Sequence, residues 1–192
     1  MKDYLSIAMM AAGGVCIAAI FNSVVRRKNM VENAYASVDA MLKKRYDLIP
    51  NLIECVKQYM SYEQGLMERL TKWRTEVVKL PSDSPERQSL DGSIEKGIRS
   101  LCAVAEGYPS LKASENFLQL QGALNEIEEQ IAAARRAYNA AVTDYNNGLR
   151  TFPWCIAAGM LFYKKKKWFE IGDEGERKPV PVKDHFKTAE AE

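Results

Sequence analysis

Histidine is almost absent from this 192-residue sequence, and its four cysteines are scattered. The single histidine is His185, and the cysteines are Cys16, Cys55, Cys102 and Cys155. No CxxC pair or Cys/His cluster therefore offers the spacing of a zinc site. A di-iron bundle needs Glu-x-x-His pairs, and a serine or cysteine nucleophile needs a histidine base, so both are disfavoured. The sequence predicts no catalytic, metal-binding or cofactor-binding residues.

An excess of one charge is also lacking, because 27 Lys and Arg oppose 25 Asp and Glu. This balance does not supply the basic face that a phosphate backbone requires, so no nucleic-acid partner is predicted. Neither a GxxxxGK[ST] loop nor a GxGxxG turn is present. Glu126, Glu128 and Glu129 are predicted to lie on the solvated side of a helix rather than to form a catalytic carboxylate pair. We therefore predict that the protein is not an enzyme.

A long uncharged run is present at residues 5–25. About 20 helical residues cross a hydrocarbon core of about 30 Å, so residues 1–25 are predicted to form a transmembrane anchor in the lipid bilayer. A cleavable signal peptide is the alternative. It is disfavoured because Asp3 offsets Lys2 and because the run ends in Phe21, Asn22 and basic residues instead of a small-residue cleavage site.

Basic residues set the predicted orientation of this anchor. The positive groups before the run are Lys2 and the terminal amine. The basic residues after it are Arg26, Arg27, Lys28, Lys43, Lys44 and Arg45. By the positive-inside rule, we predict a single-pass protein of the cell (inner) membrane with its bulk on the cytoplasmic side. An extracytoplasmic placement is the alternative.

After the anchor, apolar residues recur at alternating steps of three and four, which is typical of a helix seam. We predict an all-α fold, in which an N-terminal transmembrane helix is followed by a long antiparallel up-and-down bundle of about four helices at residues 26–153. Its first helix is predicted at residues 22–80, with a kink at Pro50 and a chain reversal at residues 81–85. Further helices are predicted up to Gly107 and over residues 114–150.

Arg45 occupies a seam position in the first of these helices. Such an arginine either extends its head to water or meets a carboxylate, for which Asp47, Glu54 and a facing helix are the candidates. We expect it to extend to water.

The C-terminal part of the chain is divided in two. Residues 154–171 are predicted to form a short helix that is apolar at first and basic at residues 164–167. It either packs on the bundle, which we favour, or lies on an anionic membrane surface, and in the second case it acts in membrane shaping. Residues 172–192 are predicted to be a polar tail.

Three segments are recognisable: KKRYDLIPNLIECVKQYMSYE, AEGYPSLKASENFLQLQ and AARRAYNAAVTDYNNGLRTFP. They resemble the signatures of the LemA family, and the similarity covers nearly the whole chain. The resemblance implies a single-pass membrane protein whose soluble part is a four-helix, largely up-and-down bundle, without a known catalytic activity. The departures are small: Trp168 replaces a more usual tyrosine before Phe169 and Glu170, and Cys55 and Gln58 replace Thr or Ser and Gly.

Polar and aromatic residues are concentrated at the predicted kink and before the last long helix. They form a candidate interaction surface: Arg45, Tyr46, Asp47, Pro50, Asn51, Glu54, Tyr108, Pro109, Lys112 and Asn116. The simpler explanation is local repair at Pro50 and bracing by asparagines. We predict a membrane-anchored scaffold or adaptor that binds other membrane proteins, with self-association left open. The alternative is a sensor or small-ligand-binding bundle with a pocket near Arg45, Tyr46 and Asn51.

Overall fold

The computed structural model describes residues 1–60, 63–82 and 84–169. These residues form helices and contain no strand, which confirms the predicted all-α fold. In chain order the helices are α1 (Lys2–Lys57), α2 (Gln64–Val77), α3 (Pro85–Ala105), α4 (Pro109–Lys112), α5 (Glu115–Gly148) and α6 (Trp154–Met160). The tail predicted at residues 172–192, with His185, lies outside the described residues.

The first helix joins the apolar run to the bundle without interruption. It has 56 residues, which corresponds to a length of about 84 Å at 1.5 Å per residue. An 18-residue window near its N-terminus is long and apolar enough to cross a membrane, and none of that window is buried in the protein. Within the part of the chain that the structure describes, α1 is the one helix with this property.

Ion pairs between the helices define an up-and-down bundle. Arg74 of α2 lies 4.0 Å from Asp47, so α2 returns alongside α1. Arg87 near the start of α3 pairs with Asp39, so α3 again runs away from the apolar run. Glu128 of α5 contacts Arg45, and Asp144 pairs with Arg27, so α5 is antiparallel to α1. The predicted four-helix, up-and-down topology is confirmed.

The first chain reversal, between α1 and α2, was not predicted, whereas the reversal predicted at residues 81–85 lies between α2 and α3. A single kinked helix over residues 22–80 does not form, because α1 ends at Lys57 and α2 begins at Gln64. Pro50 is exposed and lies inside α1, where a missing backbone donor is tolerated close to water. The apolar seam continues across the break because the two antiparallel helices, α1 and α2, both face the same core.

The core is organised around α1 and α5, which bury every seventh residue. In α1 these residues are Val24, Val31, Val38, Arg45 and Leu52, and in α5 they are Phe117, Leu124, Ile131, Tyr138 and Tyr145. A seven-residue repeat of buried side chains is typical of closely packed, coiled-coil-like helix pairs. Arg45 is the charged member of these two series, so a charge lies within the core.

The C-terminal region is less helical than predicted. A helix was expected over residues 154–171, but α6 ends at Met160, and residues 164–169 form no helix. We call residues 164–169 the C-terminal strap. Its backbone is bonded by side chains of α5 and is therefore not available for helical hydrogen bonds.

Candidate functional site

A buried charge network crosses the middle of the bundle. Arg45 is 1% exposed, and its guanidinium lies 2.5 Å from Asp91 Oδ1 of α3 and 3.0 Å from Glu128 Oε2 of α5. The expectation that Arg45 extends to water is wrong, because its seam position faces α3 and α5. Charge-assisted hydrogen bonds of this kind compensate for the loss of hydration.

Asp91 is the centre of this network. It is 4% exposed, its Oδ1 also accepts a hydrogen bond of 2.8 Å from the hydroxyl of Tyr46, and its Oδ2 lies 3.0 Å from the guanidinium of Arg135. One carboxylate therefore links α1, α3 and α5. An arginine of α3, Arg87, pairs with Asp39 and donates a 2.6 Å hydrogen bond to Ser82 Oγ.

The surroundings fix the protonation states of two network residues. Burial disfavours the charge of Arg45, but the carboxylates of Asp91 and Glu128 outweigh it and raise the pKa of Arg45 above its ordinary value. Burial raises the pKa of Tyr46, and the charge of Asp91 and the hydrogen bond to it act in the same direction. Arg45 therefore stays charged and Tyr46 stays neutral at neutral pH. This arrangement suits a structural brace better than proton transfer.

The raised pKa of Tyr46 predicts an alkaline loss of stability. Above the ordinary tyrosine pKa of about 10, the unfolded chain releases the Tyr46 proton while the folded protein retains it, so the free energy of unfolding falls as pH rises. In Tyr46→Phe this fall is expected to be shallower. At neutral pH the variant is expected to be less stable by about 1.5–3 kcal/mol, because a hydrogen bond to a carboxylate is lost.

Denaturant unfolding of the full chain in detergent micelles at neutral and alkaline pH measures this effect. The control is Tyr59→Phe, at an exposed tyrosine just beyond α1, which is expected to leave the pH dependence unchanged. Equal slopes of the free energy of unfolding against alkaline pH in wild type and Tyr46→Phe would contradict the prediction. Tyr138, Tyr145, Cys55 and Cys102, whose pKa values are also raised by burial, contribute to the slope that remains in the variant.

Sequence reasoning missed the partners of Arg45. The buried face of α3 contains Arg87, Asp91, Ile94, Ile98 and Leu101, so two charged residues stand at seam spacing. The available signal was an acidic seam residue on one helix and a basic seam residue, Arg45, on another. Glu128 was assigned to the solvated side of α5, but it is only partly exposed and binds Arg45.

The structure separates the residues of the predicted interaction surface by their exposure. Arg45 and Tyr46 are buried in the charge network and offer no contact area to a partner. Tyr108 is half-buried, and Asp47 is exposed beside Arg74 of α2.

The other six predicted residues are exposed, and we call them the distal surface. They are Pro50, Asn51, Glu54, Pro109, Lys112 and Asn116. Because α1 and α5 are antiparallel and Arg45 faces Glu128, the end of α1 and the start of α5 lie at the same end of the bundle. That end is opposite the apolar run. Whether the distal surface binds a partner stays a prediction.

Two surface cavities are prominent in the described residues. One, of about 470 Å³, lies beside the C-terminal strap and is lined by Tyr35, Tyr138 and Phe169 among others. The second, of about 690 Å³, lies between α1 and α2 beside Ile53 and Met67. Neither is lined by Arg45, Tyr46 or Asn51, so the alternative of a ligand pocket at those residues gains no support.

Metal ligands do not cluster in the part of the chain that the structure describes. No group of three or more His, Cys, Asp or Glu side chains there is arranged to hold a metal ion.

A second polar arrangement binds the C-terminal strap to α5. The side-chain amide of Asn146 donates to Lys166 O at 2.9 Å and accepts from Lys166 N at 3.0 Å. Asn139, one heptad earlier, donates to Phe169 O at 3.1 Å and accepts from Phe169 N at 2.8 Å. The hydroxyls of Tyr138 and Tyr145 donate to Lys167 O and Lys164 O, both at 3.1 Å.

We call these four residues of α5 the tyrosine–asparagine clamp. They bond to backbone atoms of the strap, so they recognise an extended chain rather than particular side chains. The repeated Tyr-Asn pair, seven residues apart, is visible in the sequence, but its role depends on a segment about 20 residues further along the chain.

The fold and these two arrangements define a class: a braced four-helix bundle built on an apolar N-terminal helix that fits membrane association. The LemA family model matches residues 34–183, and the chain belongs to the LemA family.

The chain is also similar to curated relatives, at low sequence identity. The chain is 27% identical over 144 residues to "Protein LemA" of Metamycoplasma hominis, covering 74% of this chain and 65% of the relative. It is 22% identical over 181 residues to "Magnetosome protein MamQ 2" of Paramagnetospirillum magneticum, covering 81% and 66%. It is also 22% identical over 200 residues to "Magnetosome protein MamQ" of Magnetospirillum gryphiswaldense, covering 88% and 74%. The chain thus spans just under two thirds of the first two relatives.

Proposed function

We propose that the protein is a single-pass, membrane-anchored scaffold or adaptor, which presents its distal surface to other membrane proteins and catalyses no reaction. The observation that supports this proposal is the continuity of α1, which extends from the apolar run to the distal end without a break. Because α1 is unbroken, one helix connects the bilayer directly to the distal surface.

The dimensions of α1 define which partners are in reach. From Val25 to Lys57 the helix rises by about 50 Å. The charge network ties this part of α1 to α3 and α5 and opposes bending of the bundle. A partner on the distal surface therefore has a domain that extends about 50 Å from the bilayer boundary.

The chemistry of the distal surface suits contact with another protein. It combines two prolines and two asparagines with a single lysine and a single glutamate. Such a surface offers hydrogen bonds while few charges have to be desolvated on binding. A second copy of this chain is the other partner that we consider.

We assign the bundle to the cytoplasmic side of the cell (inner) membrane. The lysines at residues 164–167 support this orientation, because Tyr145 binds the strap close to the Arg27–Asp144 pair, just beyond the apolar run of α1. They add to Arg26, Arg27 and Lys28 beside the span.

Thiol labelling in intact cells tests this orientation. A membrane-impermeant reagent is expected to leave the new cysteine of Lys112→Cys unlabelled until the cells are lysed. Labelling before lysis, with any outer envelope permeabilised, would reverse the orientation.

Photo-crosslinking in intact cells tests the adaptor role. A photoreactive amino acid at Asn116, on the distal surface, is expected to give a discrete adduct with another membrane protein. The matched control is Ala132, an exposed residue nearer the middle of α5, which is expected to give none. Lys112→Glu, next to the probe, is expected to reduce the adduct several-fold, since one rim charge contributes about 1 kcal/mol.

Two outcomes would contradict the proposal. Equal adducts from Asn116 and Ala132 would mean that the distal surface is not a specific interface. A reproducible turnover by the purified protein, abolished by one polar substitution, would mean that the protein is an enzyme.

A further inference from the structure

The short helix α6 packs against α1 where the apolar run ends. Ala157 and Ala158 of α6 form a small buried cluster with Val24, against which Ile20, Phe21 and Trp154 are packed. The guanidinium of Arg27 lies 5.7 Å from the ring centroid of Trp154. These contacts place α6 at the level where α1 leaves the span that we propose.

Four large apolar side chains of α6 and its flanking residues are not used in this packing. Phe152 is 75% exposed, Ile156 58%, Met160 66% and Phe162 89%. Ile156 and Met160 are four residues apart and therefore lie on one side of α6, whereas the small residues Ala157 and Ala158 face α1. Phe152 and Phe162 lie in the turns just before and just after this helix. A helix that only packs on a bundle buries its large side chains and exposes its small ones, which is the reverse of this arrangement.

Phe162, two residues beyond the end of α6, is unusual in its backbone conformation. Tyr163 N–H donates to Ala158 O and Phe162 N–H donates to Gly159 O, both at 3.1 Å, which is the hydrogen-bond pattern of a Schellman motif. The left-handed position of this motif is normally occupied by glycine, but here it is Phe162, with φ of 53°. The conformation is strained for phenylalanine, and its exposed ring gains no compensating contact inside the bundle.

Basic residues continue the chain from this point. The side chains of residues 164–167 are all exposed lysines, and the ammonium of Lys28 lies 5.3 Å from the ring centroid of Tyr163. Apolar and aromatic side chains followed by lysines are typical of segments that lie at the boundary between lipid tails and anionic headgroups.

We infer that α6 lies in the interface of the bilayer leaflet next to the bundle, with Phe152, Ile156, Met160 and Phe162 in contact with lipid and the lysines of residues 164–167 among anionic headgroups. This contact depends on the proposed span of α1 and adds a second point of attachment, so that the bundle is fixed in rotation and tilt relative to the membrane. The occupant is anionic phospholipid.

Lipid photo-crosslinking with the full chain tests this contact. A benzoylphenylalanine is placed at Met160, at Val15 in the span, or at Leu118, an exposed apolar residue at the distal end of α5. The protein is reconstituted in vesicles of phosphatidylcholine and phosphatidylglycerol, irradiated and examined by mass spectrometry. Lipid adducts are expected from Met160 and Val15, and none from Leu118.

The three probes separate the possible failures. Adducts from Val15 without adducts from Met160 would overturn the α6 contact and leave the span intact. Absence of adducts from Val15 would overturn the span and, with it, this inference. Protein dimers in place of lipid adducts at Met160 would assign the surface to a second copy of the chain.

Phe162→Gly distinguishes lipid contact from a packing role. Glycine relieves the left-handed backbone, so the variant is expected to unfold at a higher temperature than wild type. The lipid adduct at Met160 is nevertheless expected to decrease, because one inserted ring is lost. A lower unfolding temperature would show that Phe162 packs within the protein, and an unchanged adduct yield would remove it from the lipid contact.

Discussion

Replacing Asp91 with leucine is expected to destabilise the bundle by about 3–5 kcal/mol, because a buried arginine then loses its closest partner. Arg45 does not escape the cost by releasing its proton, because the guanidinium group of arginine is not deprotonated in proteins. The hydroxyl of Tyr46 also loses its acceptor inside the core. The unpaired arginine and the unpaired hydroxyl both lower the free energy of unfolding.

The measurement is denaturant unfolding of the full chain in detergent micelles, compared with Asp144→Asn. Asp144 pairs with Arg27 at the surface, and removal of such an exposed pair is expected to cost less than about 1 kcal/mol. The stability lost in Asp91→Asn is expected to lie between the losses in Asp91→Leu and Asp144→Asn. The reason is that an amide oxygen still accepts a hydrogen bond but carries no charge. A loss at Asp91→Leu no larger than that at Asp144→Asn would mean that water reaches Arg45.

A double substitution separates the buried charge from the general loss of packing. Arg45→Met combined with Asp91→Leu is expected to recover most of the stability lost in Asp91→Leu, because no unpaired charge is left in the core. Arg135 and Glu128 are partly exposed, so they turn to water when their partners are removed. If the double variant is as unstable as Asp91→Leu, the cost arises from packing at position 91 instead of from Arg45.

Local patterns in the sequence were sufficient to predict the all-α class and two of the long helices. The seams of α3 and α5 predict both helices, because apolar periodicity and nearby Pro or Gly residues act over a few residues. The turn between α1 and α2 was missed for the same reason. The seam continues across it, and only tertiary packing distinguishes two antiparallel helices from one long helix.

The two polar arrangements depend on long-range contacts and were only partly predictable. Arg45 was recognised as a charged seam residue, but its partners lie 46 and 83 positions away, at Asp91 and Glu128. The clamp joins Asn139 to Phe169, 30 positions apart. Sequence spacing identifies residues that need a partner, whereas the partner follows from how the helices are arranged.

Removing both asparagines of the clamp is expected to release the C-terminal strap from α5. In Asn139→Ala combined with Asn146→Ala, four hydrogen bonds to the strap backbone are lost. At about 0.5–1 kcal/mol for each bond, the strap is less stable by about 2–4 kcal/mol. The backbone amides of Lys166 and Phe169 are then expected to exchange with solvent about 30- to 1,000-fold faster than in wild type.

Hydrogen–deuterium exchange of the full chain measures this release at the strap itself. The matched control is Asn125→Ala combined with Asn147→Ala, at two exposed asparagines of α5 outside the clamp. This control also removes two side-chain amide groups from α5. It is expected to leave the strap protected from exchange with solvent. Unchanged exchange in the clamp variant would mean that the hydroxyls of Tyr138 and Tyr145, together with the ring of Phe169 that lies 5.0 Å from that of Tyr138, hold the strap without the amides.

The strap lysines provide the complementary test, because the clamp bonds to their backbone and leaves their side chains exposed. Alanine at residues 164–167 is therefore expected to keep the slow exchange of the backbone amides at positions 166 and 169, which the clamp variant loses. The same alanine variant removes the charges that we place among anionic headgroups. A strap that remains bound to α5 but no longer favours anionic lipid would show that the clamp positions these lysines and that the lysines, not the strap backbone, contact the membrane.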